Sequence, residues 1–479
     1  MAAALVPVAL YVVIALRQLG YPYELEWMEG GSVEIVGRVL RAQAIYVAPS
    51  LHYVPYTYPP LYFWLSALVA HVTGLSFLPL RLVSFTSSLG CFAVLFWLVR
   101  RETGDAVAGL VAAGLFAATY QVGGAWLDIG RVDSLWLLFL LLAVALARQA
   151  ETWKGGVLVG LVLSAALLTK QSTLLAAAPL VAYLVVVRRR VGVVALGAWA
   201  VVVVGSTLVL DALSHGWYDY YVFTELLHQG TEASIWWRFV PGDLIGRVGW
   251  MLGLGVLGLI VYRRRSGTTT PWGFWLAVTA GFVGVSWVSR AHVGGGQDVL
   301  IPAFAALSAL GGLGYEAVRR RVATHATGIE ILLLAVLIVQ LAWIGGHPAH
   351  LVPTPADQRA GQRFVAMVES TPGQVIVLDH PWYDTLAGKP SWAQDEAIHD
   401  VLRAGPSQAR TDLLRSIGQE LAAPEVTAVY TDSTSIDPAL GDALQRYFRL
   451  SRQPVFSCFQ CFFPVTDVAF RPYLHYVRR

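Results

Sequence analysis

Three carboxylates near the amino terminus are the residues best suited to acid–base chemistry. Glu24, Glu26 and Glu29 fall within six positions, directly after an apolar stretch of membrane-spanning length. A carboxylate that lies beside a bilayer and is packed by aromatic side chains loses water, which raises its pKa towards that of a useful general base. Glu26 and Glu29 are three positions apart, so on a helix they would share one face. The alternative is a solvated acidic loop.

A second group of charges could bind an anion. Asp128, Arg131 and Asp133 lie close together, and Lys170 separates two unusually short apolar stretches. A charge at membrane depth costs about 2.5–3.5 kcal/mol on insertion scales, which makes such residues functional candidates. The planar guanidinium of Arg131 suits phosphate oxygens, and Lys170 could add a point charge. The alternatives are an interfacial ion pair for Arg131 and a snorkelling lysine at the surface.

A glycine-rich turn is a third candidate for anion binding. Arg290 and His292 precede three consecutive glycines at residues 294–296. Glycines allow backbone amides to approach an anion closely, and the two side chains could add donors. The alternative is a plain flexible connection.

The composition indicates a membrane protein that would hold these groups at one face. Hydrophobic residues make up 56% of the chain and charged residues only 14%, against about 25% charged residues in soluble domains. The net charge of +3 is too small to indicate nucleic-acid binding. Arginine clusters occur at residues 100–101, 188–190, 263–265 and 319–321. Even numbers of crossings between them would place every cluster on the cytoplasmic side.

This pattern predicts a multi-pass protein of the plasma (inner) membrane with about eleven transmembrane helices. Its amino terminus would be cytoplasmic and its carboxyl terminus extracytoplasmic. The predicted spans are residues 3–19, 82–99, 106–125, 134–147, 155–169, 172–187, 191–210, 244–262, 272–288, 300–315 and 331–344. Residues 61–72 are apolar but short, and we interpret them as an interfacial helix. Counting them as a span would invert every later arginine cluster.

Two domains are predicted. Residues 1–345 would form the transmembrane domain, with outer loops at 21–59, 126–133, 211–243 and 289–298. Residues 346–479 are more polar, and their short apolar runs alternate with helical patterns, which predicts an extracytoplasmic α/β domain. The predicted strands are 374–378 and 427–431, and the predicted helices 356–368, 393–402 and 408–421. Cys458 and Cys461 could form a local disulfide or remain free thiols; zinc would need further ligands nearby.

The order of these motifs resembles a known enzyme family. An acidic motif after the first span, an aromatic loop and then the sequence Tyr-Thr-Tyr-Pro-Pro-Leu-Tyr at residues 56–62 are similar to those of C-type (GT-C) glycosyltransferases. The resemblance is closest to the family of protein mannosyltransferases and lipid A aminoarabinose transferases, and it covers about residues 1–190. Such enzymes use polyprenyl-phosphate-linked sugars and carry a catalytic carboxylate in the first outer loop, often as Asp-Glu. Here Glu26 would take the place of the Asp and Glu29 that of the Glu.

The resemblance implies a hexosyl or pentosyl transferase. A sugar would pass from a polyprenyl phosphate to a hydroxyl of a lipid, glycan or protein at the outer face, by direct inverting displacement. No cofactor would be required, although a divalent metal is possible. The catalytic candidates are Glu26, Glu29 and Asp128. The substrate-binding candidates are Tyr58, Arg131, Asp133, Lys170, Arg290 and His292.

Two other functions compete with this interpretation. A lipid or lipid-linked glycan transporter, or flippase, would also have many spans and buried charges. It predicts pseudo-symmetric halves, which the sequence does not display. A ligase or polymerase of lipid-linked glycans would share the architecture, and the motifs barely discriminate against it.

Overall fold

The computed structural model describes residues 2–265, 270–322, 348–433, 436–458, 460–466 and 470–479. Helices dominate the part before residue 323, because a chain in a bilayer must satisfy its backbone polar groups internally. These helices are α1 (Ala2–Gln18), α2 (Glu29–Leu40), α3 (Leu61–Thr73), α4 (Phe77–Thr103), α5 (Ala106–Ala118), α6 (Asp133–Gln149), α7 (Trp153–Thr169), α8 (Thr173–Val187), α9 (Arg189–Leu213), α10 (Trp217–Asp219), α11 (Glu225–His228), α12 (Ala233–Arg238), α13 (Gly246–Arg265), α14 (Thr270–Ala291) and α15 (Ile301–Val322).

Several of these helices have the length and composition of membrane spans. Within the described ranges, five are long and apolar enough to cross a bilayer: Phe77–Thr103, Arg189–Leu213, Ala233–Ile260, Trp272–Ala291 and Asp298–Arg320. Shorter apolar helices accompany them, including α1, α3, α5, α7 and α8. The count of eleven spans stays a prediction. The predicted last span, 331–344, and the predicted domain boundary at 345–346 lie outside the described residues.

Arginines from distant parts of the sequence meet at one end of the helix bundle. Arg319 at the end of α15 pairs with Asp105 at the start of α5. Arg148 at the end of α6 pairs with Glu102 at the end of α4. Arg188, between α8 and α9, donates to backbone carbonyls in the last turn of α6 and directly after it. This gathering is what the charge pattern predicts, and it leaves the acidic motifs at the other end of the bundle.

The first outer loop, residues 21–59, contains a helix that the sequence did not indicate. Helix α2 begins at Glu29, so Glu26 precedes it and the two residues do not share a helical face. The glycines of this stretch disfavour a helix by propensity, and packing overrides them. Gly31 is needed because an added Cβ would collide with the hydroxyl of Tyr56, which donates to the carbonyl of Met28.

The predicted outer loop 211–243 is also largely helical. It contains α10, α11 and α12, joined by π-helical turns at Tyr220–Thr224 and Phe239–Ile245. The apolar span that follows therefore begins earlier than the sequence pattern suggested, and it runs as Ala233–Ile260.

The C-terminal α/β region, residues 348–479, contains a four-stranded sheet with the order β1-β2-β4-β3. Strands β1 (Gln374–Val377) and β2 (Val426–Thr431) are parallel, and β4 (Leu474–Arg478) runs antiparallel to both β2 and β3 (Phe448–Leu450). The helices are α16 (Pro355–Ser370), α17 (Trp382–Leu386), α18 (Asp395–Arg403), α19 (Gln408–Ala422) and α20 (Pro438–Tyr447). The sequence indicated β1, β2, α16, α18 and α19 but missed α17, α20 and the two short later strands.

The C-terminal α/β region packs directly on the first outer loop. The ring of Tyr23 contacts those of Tyr383 and Phe462. The backbone amide of Val465 donates to the carbonyl of Leu25 at 2.9 Å. Of the open alternatives for the two outer cysteines, the structure has the local disulfide between residues 458 and 461.

Candidate active site

Two carboxylates of the first outer loop, Glu24 and Glu26, each have a buried oxygen without a hydrogen-bond partner among the described residues, and of the two Glu26 lies beside Arg131. The side chain of Glu26 is fully buried, in the segment that connects α1 to α2. Oε2 accepts the backbone amide of Met28 at 3.1 Å, and Oε1 has no hydrogen-bond partner among the described residues. Burial raises the pKa of Glu26 to about 8, although the neighbouring Arg131 acts in the opposite direction. A carboxyl with one unpaired oxygen and a pKa near the working pH is suited to general-base catalysis.

Arg131 lies beside Glu26 in a cage of aromatic rings. Its Nη1 is 3.6 Å from Glu26 Oε2, and its Nη2 donates to the hydroxyl of Tyr58 at 2.9 Å. The guanidinium carbon lies 5.4–5.9 Å from the ring centres of Tyr56, Tyr58 and Trp126. Nε and Nη1 donate no hydrogen bond to any residue that the structure describes. The buried guanidinium therefore retains donors for an anion.

Lys170 reaches the same place from the junction of α7 and α8. Its Nζ is 2.7 Å from Asp133 Oδ1 and 3.6 Å from Asp298 Oδ2. It also lies 5.6 Å from the ring centre of Tyr58. The residue is 7% exposed, so it is not a snorkelling lysine at the surface. The structure thus brings Glu26 together with four predicted substrate-binding residues and adds Asp298, which sequence reasoning missed.

Glu29 is placed differently from Glu26, because both of its oxygens are occupied. Arg81 donates to Oε1 at 3.0 Å and to Oε2 at 2.7 Å. The amides of Leu25 and Gly130 donate to the same carboxylate at 2.7 and 2.6 Å. The saturated carboxylate fastens the first outer loop to the turn that carries Arg131. Each oxygen of Glu29 therefore already accepts two hydrogen bonds, unlike those of Glu26.

Arg81 is the functional residue that sequence reasoning missed most clearly. It is completely buried, and besides Glu29 it donates to the backbone carbonyls of Gln18, Tyr21 and Tyr23. Its signal in the sequence was present: a lone arginine lies within the apolar run just before a predicted span. A buried charge needs partners, so such an arginine indicates a carboxylate nearby.

Three other candidates make their contacts elsewhere. Asp128 accepts the hydroxyl of Tyr120 at 2.7 Å and has no described contact with Glu26. Arg290 lies 3.4 Å from Asp243, and His292 contacts a backbone carbonyl of α11. Neither contacts Arg131 or Lys170 within the described part of the chain. The glycine-rich turn instead contributes Asp298, which follows the glycines, to the partners of Lys170.

The described ranges contain no group of three His, Cys, Asp or Glu side chains placed to hold a metal ion. The expectation that no metal is required stays a prediction.

Comparison with known sequences gives a family match for part of the chain. The model of the family described as dolichyl-phosphate-mannose-protein mannosyltransferase matches residues 57–215. No curated protein sequence matches the chain. The matched segment begins at the aromatic motif and includes Tyr58, Arg131, Asp133 and Lys170.

Comparison of structures extends the similarity to nearly the whole chain. The structure of ArnT from Cupriavidus metallidurans bound to undecaprenyl phosphate superposes with a TM-score of 0.62 and 16% identity, covering 98% of this chain and 97% of that one. Its apo form gives a TM-score of 0.64 at the same identity and coverage. The archaeal oligosaccharyltransferase AglB from Archaeoglobus fulgidus, in complex with an inhibitory peptide and dolichol phosphate, gives 0.55 and 12%, covering 93% and 72%.

These comparisons show that the chain shares the fold of ArnT and AglB. They confirm the predicted polytopic helical fold with a small C-terminal α/β part, and the resemblance to C-type glycosyltransferases.

Proposed function

We propose that this protein is a membrane glycosyltransferase that moves a sugar from a polyprenyl-phosphate donor to an acceptor hydroxyl. The observation that carries the proposal is the pairing of two incompletely satisfied buried groups. Glu26 has one unpaired oxygen, and Arg131, 3.6 Å away, has two nitrogens that donate no hydrogen bond within the described residues. A base beside an anion-binding cation is what phosphate displacement by a hydroxyl requires. The undecaprenyl phosphate in the ArnT structure supports the class of donor.

Arg131 would bind the phosphate of the donor. The Tyr58 hydroxyl and the aromatic cage hold the guanidinium in place, so its remaining donors point at a fixed position. Cationic donors fixed in a dry site stabilise negative charge that develops on a leaving group without reorganising. Lys170 would contribute less, because Asp133 already neutralises its ammonium at 2.7 Å.

Glu26 would act as the general base. Its free Oε1 accepts the proton of the acceptor hydroxyl as the hydroxyl oxygen forms a bond to the anomeric carbon. The bond from that carbon to the phosphate oxygen breaks, and its electron pair leaves with the polyprenyl phosphate. Attack opposite the leaving group inverts the anomeric configuration. Glu29 and Arg81 would fix the position of Glu26 relative to Arg131, because Glu29 joins the first outer loop to the turn that carries Arg131.

The arginine cluster at one end of the bundle supports the proposed orientation. With that end in the cytoplasm, Glu26 and Arg131 lie at the extracytoplasmic face of the plasma membrane, together with the C-terminal α/β region. A donor in the outer leaflet would reach Arg131 from the bilayer. The acceptor would be a lipid, a glycan or a protein on the same side.

The test is transfer by the purified full-length protein in lipid nanodiscs. Synthetic undecaprenyl-phosphate pentoses and hexoses are offered with lipid, glycan and peptide acceptors, and glycosylated product is measured. We expect Glu26→Gln to reduce turnover by about 10²–10⁴ while binding of undecaprenyl phosphate is retained. Glu232→Gln, an exposed carboxylate of another outer loop, is the matched control and should keep full activity.

Two outcomes would contradict the proposal. A fully active Glu26→Gln protein would show that Glu26 is not the general base. Movement of undecaprenyl phosphate across vesicle membranes without any sugar transfer would favour the transporter alternative.

A further inference from the structure

A buried chain of three charged side chains connects the C-terminal α/β region to the first outer loop. His380 follows β1 and Asp432 follows β2, and because these neighbouring strands are parallel, the residues after them meet at one edge of the sheet. His380 Nε2 lies 2.9 Å from Asp432 Oδ2, and Nδ1 is hydrogen-bonded to Glu24 Oε2. The three side chains are each at most 2% exposed.

The geometry makes His380 a cation. Each ring nitrogen faces a carboxyl oxygen, and an ionised carboxylate only accepts hydrogen bonds, so both nitrogens donate when Glu24 and Asp432 are ionised. Burial alone would lower the pKa of His380, but Asp432 and Glu24 outweigh it and raise the pKa well above its usual value. The imidazolium therefore joins two negative groups that lie more than fifty positions from it in opposite directions along the chain.

Glu24 is held tightly on its own side of this contact. Its backbone amide donates to the hydroxyl of Tyr383 at 3.3 Å. Its carboxyl lies against Gly30, where an added Cβ would collide with it. Glu24 therefore fixes the start of the segment 24–29 against the C-terminal α/β region.

The other end of the same segment is fixed to the helix bundle. Glu29 is bound by Arg81 through two hydrogen bonds. Glu26 lies between these two anchors, two positions after Glu24 and three before Glu29. Within the described residues, its side chain accepts a hydrogen bond from the amide of Met28 and forms an ion pair with the guanidinium of Arg131. The location of its free oxygen therefore depends on the two ends of the segment.

We propose that His380 is a positioning residue for sugar transfer, through which the C-terminal α/β region holds Glu24 and so places Glu26 against the acceptor. The inference rests on the proposed function for the role of Glu26. In this role His380 would act through Glu24 and would not itself touch the reacting atoms. A shift of about 1 Å in a catalytic group can cost about 10²-fold in rate, so loss of this anchor should reduce kcat.

The test compares His380→Gln, Glu24→Gln and the double variant in the transfer assay, with undecaprenyl phosphate as the binding probe. We expect each single variant to lower kcat at least tenfold, with Kd for undecaprenyl phosphate changed less than twofold. The double variant should lower kcat no further than the more damaging single variant, because both substitutions remove the same contact between His380 and Glu24. A purely structural contact would not separate kcat from Kd in this way.

Thr385→Val is the matched control at the same interface. The Thr385 hydroxyl donates to Glu34 at 2.8 Å, on helix α2 and away from segment 24–29. We expect it to leave kcat unchanged. Should His380→Gln not fold, Asp432→Asn and Glu24→Gln carry the same test, since each removes one charge while the imidazole remains.

Two results would overturn the inference. One is a kcat for His380→Gln within twofold of the unmodified protein. The other is an equal loss of kcat, donor affinity and melting temperature in His380→Gln and Thr385→Val. An inactive Glu26→Gln protein beside a fully active His380→Gln protein would refute only the positioning role. An active Glu26→Gln protein would refute the proposed base itself.

Discussion

The ionisation of Glu26 should set the pH dependence of sugar transfer. The base must be deprotonated to accept a proton, and its pKa in the unliganded protein is raised to about 8 by burial. About a tenth of Glu26 is then ionised at pH 7 and about nine tenths at pH 9. We therefore expect kcat/KM, which reports the free enzyme, to rise about tenfold from pH 7 to a plateau above pH 9.

In the complex with the donor, the pKa of Glu26 should be the same as in the free protein or higher. In the free protein Arg131 lies 3.6 Å from Glu26 and lowers the pKa of that carboxyl. A donor phosphate shares this cation and adds a negative charge, and both changes favour the protonated carboxyl. We expect the rising limb of kcat, which reports the complex, to lie at or above the limb of kcat/KM. Steady-state rates from pH 6 to 10, at fixed ionic strength, provide both profiles.

Other carboxyls with raised pKa values provide the control for this assignment. Burial also raises the pKa of Glu24 and of Asp128, each to about 7. If the rise in rate with pH reports the ionisation of Glu26, Asp128→Asn should show the rise at the same pH. The residual activity of Glu26→Gln should then be independent of pH. A flat profile in the unmodified protein, or a limb that persists in Glu26→Gln, would refute the reasoning.

Three further outcomes test the charges around the base. Arg131→Ala should weaken binding of undecaprenyl phosphate at least about 30-fold, since loss of a buried charged partner costs about 2–5 kcal/mol; unchanged affinity would misplace the phosphate site. Lys170→Met should weaken the same binding much less, because Asp133 already pairs with the ammonium; an effect equal to that of Arg131→Ala would contradict this. Arg81→Met should cost about 3–5 kcal/mol of stability, since it strands a buried carboxylate, whereas Arg415→Met, which loses only an exposed pair with Asp412, should lower the melting temperature far less.

The sequence could predict that the candidate-site residues come together, because the membrane topology places them at the same end of the helix bundle. Glu26, Arg131 and Lys170 each lie where the chain turns at the end opposite the arginine clusters. Once those clusters share one side, the connections at the other end must face one another. The positive-inside rule and the length of a span therefore carried this prediction without any knowledge of packing.

The roles within the site could not be assigned in the same way. Spacing alone made Glu26 and Glu29 equivalent, because residues three apart share a helical face. They differ because Arg81, which is 52 positions after Glu29, reaches one of them and not the other. Likewise Arg290 and His292 had suitable chemistry, but their partners come from the loop before α13 and from α11. Such partners depend on tertiary packing, which no local pattern encodes.

The segment 24–29 explains why an acidic motif without an adjacent acid pair can still hold a base. Its carboxyl groups at positions 24 and 29 are each paired with a buried basic side chain, His380 on one side and Arg81 on the other. The remaining carboxylate, that of Glu26, has a weaker partner in Arg131, at a distance that leaves both groups partly unsatisfied. Three buried carboxylates so close together would repel one another if all were free. Pairing the outer two makes ionisation of the central one possible, and the donor's phosphate can then take the arginine that remains.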